Sequence, residues 1–73
     1  MQEPFTGTTL RQMRLLLGLT QAALARRLGV PYDTLNRWEH GRMAIGHPQI
    51  LRLAMLALIY ENLGPPQREI RAG

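Results

Sequence analysis

Residues Thr20–Arg42 read TQAALARRLGVPYDTLNRWEHGR, and the punctuation of this stretch divides it into two short helices joined by a tight turn. Thr20 stands where an N-cap is needed, its hydroxyl able to accept from a first-turn amide, and the helix it opens runs from Gln21 to about Leu28. Gly29 ends that helix, because glycine enters the left-handed backbone region without the steric cost of a Cβ. A second helix starts near Pro31 or Tyr32 and lasts to about His40, before Gly41. Leu24, Ala25 and Leu28, then Leu35 and Trp38, fall at helical spacing and predict a shared buried face.

Working outward, Thr8–Leu17 predicts a preceding helix, capped by Thr8 or Thr9, stopped by Gly18 and striped with Leu10, Met13 and Leu17. Downstream, a glycine-bearing loop from His40 to His47 leads to Pro48, a residue suited to a first helical turn. The helix it opens is expected to last to about Leu63, where Gly64-Pro65-Pro66 stops it. Residues 1–7 and 64–73 read as tails around one domain spanning 8–63. With no period-two alternation and no repeat, the expected fold class is all-α, a compact four-helix domain.

Seventy-three residues suffice for one domain. The chain has no cysteine, which excludes disulfides and thiolate metal sites. His40 and His47, with only Glu39 near them, make a poor metal site, so no metal and no cofactor are expected. The opening MQEPFTGTTL lacks the basic and apolar regions of a signal peptide, and the longest apolar run, Leu53–Tyr60, is too short to span a bilayer. A cytoplasmic protein without membrane partners is expected. Nor is there a nucleophile–base pair, a carboxylate dyad or a phosphate loop, so an enzyme is not expected. Nine basic residues face five acidic ones, a net charge of +4, and every basic residue is arginine. That balance favours polyanions, and the planar guanidinium fork suits phosphate and guanine; a general preference for arginine over lysine would leave the same composition.

The stretch Thr20–Arg42 resembles the helix-turn-helix of the Cro and lambda-repressor-like regulators, and the resemblance extends over about Leu10 to Leu58. Several spaced constraints carry it. Ala25 lies where the two helices approach most closely, Gly29 makes the turn, and Leu24, Leu28, Val30, Leu35 and Trp38 fix the angle between them. The resemblance implies a partner, double-stranded DNA, and a recognition helix lying in its major groove with Tyr32, Asp33, Thr34, Asn36 and Arg37 outward. Arg37 is the expected direct reader, bonding guanine O6 and N7 together. Tyr32 meets a thymine methyl or a phosphate, and Asn36 reads adenine or bonds the backbone. Asp33 either accepts from cytosine N4 or serves the dipole of its own helix. Thr20 and Gln21 are expected at a phosphate, with a plain capping pair as the alternative for Gln21. Arg42, with His40 as the weaker candidate, is placed to meet the phosphate backbone. Arg26 and Arg27 are expected in solvent, with a phosphate contact by one of them as the alternative, and Arg68 and Arg71 in the tail. Pro31 departs from the family pattern, which often has Ser or Thr capping the recognition helix. Arg14 falls on the inner face of the first helix, where an unpaired charge is costly; the resemblance implies an internal salt bridge to Glu39, structural in role.

The fourth helix is apolar almost all round, so part of its surface needs a further partner. Ile50, Leu53, Ala54 and Ala57 share one face; Leu51, Met55, Leu58 and Ile59 point elsewhere and are the expected interface of a two-fold homodimer. Cover by Phe5 and the chain ends is the alternative. Such a dimer would read an inverted repeat with half-sites about one helical turn, roughly 34 Å, apart. The expected function is a sequence-specific regulator of transcription acting as a repressor, similar in size and layout to autoregulators of phage, antitoxin or anti-CRISPR-associated operons. The competing reading is an antitoxin-type module whose main task is to hold a partner protein.

Overall fold

Thr6, two or three residues earlier than the sequence pattern places the cap, opens the first helix. Its hydroxyl accepts the Thr9 amide at 3.4 Å, and its carbonyl accepts the Leu10 amide at 2.9 Å. The computed structural model describes residues 4–63, which form four helices: α1 (Gly7–Leu17), α2 (Gln21–Leu28), α3 (Tyr32–Glu39) and α4 (Pro48–Leu63). The segment 64–73, with Arg68 and Arg71, lies outside the described residues. No strand occurs among the described residues, and none of their helices is long and apolar enough to cross a membrane.

The caps form as their residues require. Thr20 Oγ1 accepts from the Ala23 amide at 3.1 Å and starts α2. Gly29 takes φ 74°, and its amide and that of Val30 both close on the Ala25 carbonyl, which turns the chain sharply into α3. α3 begins from Pro31 in extended backbone with no side-chain cap, and Asp33 supplies negative charge in its first turn.

Packing runs through α1, which lies against α4 on one side and α3 on the other, while α2 packs chiefly on α3. Leu10, Leu24, Leu35 and Met55 are fully enclosed, with Phe5, Ala25 and Leu51 completing the core. Two expectations change here. Phe5 is a core residue and Gly7 starts α1, so residues 5–7 belong to the domain rather than to a tail. The faces of α4 are also exchanged: Leu51 and Met55 face inward and half-buried Leu58 packs against the core, leaving Leu58 and Ile59 of the expected dimer set partly open. Ile50 and Leu53, placed on the inner face from sequence, are each 65% exposed. Both faces of α4 are apolar, so its docking against α1, not its periodicity, selects which one is buried.

Gly7 allows a close approach of two helices. A Cβ at this position would overlap the Trp38 carbonyl, so α1 and the end of α3 meet backbone to backbone.

Candidate nucleic-acid interface

α2 and α3 form a rigid pair because their inner faces share Leu24, Ala25 and Leu35 while a polar network ties their ends together. Arg14 donates from Nε to Glu39 Oε2 at 2.7 Å and from Nη2 to Glu39 Oε1 at 3.0 Å. Its Nη1 donates to the Leu19 carbonyl at 2.9 Å, which fastens the loop before α2. The guanidinium therefore joins α1, that loop and the last residue of α3. The carboxylate of Glu39 is almost wholly removed from solvent. Burial pushes its pKa up, but the hydrogen bonds from Arg14 and Gln21 and the charges of Arg14 and Arg11 outweigh burial and hold it below the usual carboxylate value. The hydrogen bond to Glu39 raises Arg14 in turn.

Two further bonds extend the network to the surface. Gln21 Nε2 donates to Glu39 Oε1 at 2.9 Å, and Asn36 Nδ2 donates to Gln21 Oε1 at 3.1 Å. Sequence reasoning placed Gln21 and Asn36 separately at the DNA surface. It missed their coupling because no local spacing signals a bond that crosses from one helix to another.

Outward from this frame, Tyr32, Asp33 and Arg37 are exposed on α3, with Thr34 and Asn36 half-buried beside them. Thr20, His40 and Arg42 are exposed, and Gln21 is half-buried. The Arg42 amide continues from α3 by bonding the Arg37 carbonyl at 2.8 Å, while His40 Nδ1 lies 2.8 Å from the Asn36 carbonyl. Arg26 is exposed, and Arg27 forms an exposed ion pair with Glu61 of α4 at 3.2 Å. Among the described residues no cluster of three or more His, Asp or Glu side chains is arranged for a metal.

Residues 10–61 match the helix-turn-helix family model, which takes in all of α2 and α3 and most of α1 and α4. The chain belongs to the Cro and lambda-repressor-like helix-turn-helix family. It carries the DNA-binding domain of a transcriptional regulator. A 53-residue segment, 73% of the chain, is 38% identical to the propionyl-CoA carboxylase regulator of Cereibacter sphaeroides. That segment covers 12% of the relative's length. No solved structure matches the chain.

Proposed function

We propose that this helix-turn-helix chain reads a specific duplex sequence by laying α3 in the major groove and represses transcription by occupying promoter DNA. The observation that supports this most strongly is the division of α3 into two faces. Leu35 and Glu39 are buried and clamped, while Asp33 and Arg37 stand exposed on the opposite side and Tyr32 is exposed at the start of the helix. A reader needs this combination, because side chains discriminate bases only when their helix is held in one register.

Arg37 is the direct reader, bidentate to a guanine, with Tyr32, Thr34 and Asn36 contributing to the same face and Asp33 stabilising the start of α3. Thr20, Arg42, His40 and the first-turn amides of α2 meet phosphates and set the register without reading sequence. The relative named as a regulator supports the regulatory half of this reading; the gene it controls does not carry over at 12% coverage.

We further propose that two copies pair through α4, by a face different from the one periodicity suggests. Ile50, Leu53, Leu56, Tyr60 and Leu63 are the exposed large apolar residues of this helix. Two-fold pairing there would present two α3 helices to an inverted repeat. The same exposed face favours a second reading, in which the chain holds a partner protein.

The test is binding of the chain to duplex DNA from upstream of its own gene, against a scrambled duplex at physiological salt. A preference of about 10³ or more is expected. Arg37→Ala should cut the ratio between the two duplexes, whereas Arg42→Ala should weaken both by a similar factor. If a randomised duplex pool enriches no sequence, specific reading fails and the protein-holding function takes its place.

A further inference from the structure

We infer that Gln21 is a positioning residue for sequence reading: it fixes which way the Asn36 carboxamide faces, so that Asn36 reads adenine. This rests on the reading of α3 as the groove helix. A carboxamide has a donor end and an acceptor end of nearly the same shape, and a free Asn on a helix surface can turn either end to a base. Asn36 is not free in this sense. The network starts at Glu39, whose carboxylate is kept charged by Arg14 and only accepts. Gln21 must therefore offer it the NH₂ end, as the 2.9 Å bond shows, which leaves Gln21 Oε1 turned towards Asn36. Asn36 must answer with its own NH₂ end, at 3.1 Å. Each orientation is set by the one before it, and the first is set by a group with no alternative.

Asn36 then keeps Oδ1 and one Nδ2 hydrogen for DNA. Adenine offers the matching pair in the major groove, an N6 donor and an N7 acceptor. Fixed polarity also removes the rotation that would otherwise blur this preference. Gln21 thus acts on sequence choice through Asn36, a role distinct from a phosphate contact, which would be blind to sequence.

The test compares base preferences of the native chain, Asn36→Ala, Gln21→Ala and the double variant in a randomised duplex pool. Gln21 is half-buried at the start of α2, so its truncation leaves the core intact. One adenine position should lose about fivefold or more of its preference in Asn36→Ala. Gln21→Ala should lose a similar amount at that same position, and the double variant should lose no more. In the free protein, acidification that protonates Glu39 should move the Gln21 and Asn36 side-chain amide NMR signals together. Uniform weakening of all sequences by Gln21→Ala with an unchanged profile, or amide signals that move independently, would overturn the inference while leaving DNA reading in place. If the native chain enriches no sequence, DNA reading itself falls and the inference goes with it.

Discussion

Adding one methyl group at Gly7 and at Gly29 should destabilise the fold by two different routes. At Gly7 the new Cβ would overlap the Trp38 carbonyl, forcing α1 away from α3, a form of overpacking that costs about 1–3 kcal/mol. At Gly29 a Cβ meets nothing within 4 Å, and the cost is the left-handed backbone at φ 74°, about 1–2 kcal/mol. Urea denaturation of Gly7→Ala and Gly29→Ala should show both losses, and an unchanged midpoint for Gly7→Ala would refute the close approach. Gly29 was legible in the sequence because its need is local, a helix stop before an apolar run. Gly7 was not, since the atom that requires it lies on another helix. Glu39 gives a pH signature at the same scale. Burial raises its pKa, but Arg14, Gln21 and Arg11 lower it further, so the folded value lies below the unfolded one. Its contribution is therefore fully present above the ordinary glutamate pKa of about 4.3 and is lost as pH falls through the lowered value. Stability measured from pH 7 downward should be insensitive to this group until about pH 4 and fall below it, and Glu39→Gln should remove that part of the acid limb.

Among the elements, α4 shows where periodicity stops being informative. Its apolar residues surround the axis, so the pattern establishes that the helix has a buried side without saying which. Docking on α1 puts Leu51 and Met55 inside and turns Ile50, Leu53 and Leu63 outward. The two faces should therefore respond differently to substitution. Met55→Ala removes a fully enclosed side chain and should cost about 2–5 kcal/mol, lowering the denaturation midpoint. Leu53→Glu changes an exposed position and should leave the unfolding of the isolated chain within about 0.5 kcal/mol. In sedimentation equilibrium it should instead weaken self-association, and an unaltered dimer would remove α4 from the interface. α2 and α3 were legible almost residue by residue, because caps, turn glycine and apolar spacing all act within a few positions.

Across the whole molecule, the sequence contained the reading unit but not how firmly it is held. The polar network that clamps it joins residues from α1, the loop before α2, α2 and α3, and, beyond the Arg14–Glu39 bridge that the resemblance implies, it depends on geometry that only the folded chain supplies. The order of packing is equally a property of the whole: α4 leans on α1, α1 on α3, and α3 on α2. That order ranks how readily each helix lets go. α1 and α3 are each held from both sides, so their backbone amides should exchange with deuterium most slowly, at rates set by global unfolding. α2 and α4, each resting chiefly on one neighbour, should exchange sooner. If α2 meets phosphates as proposed, bound DNA would slow its exchange more than that of α1.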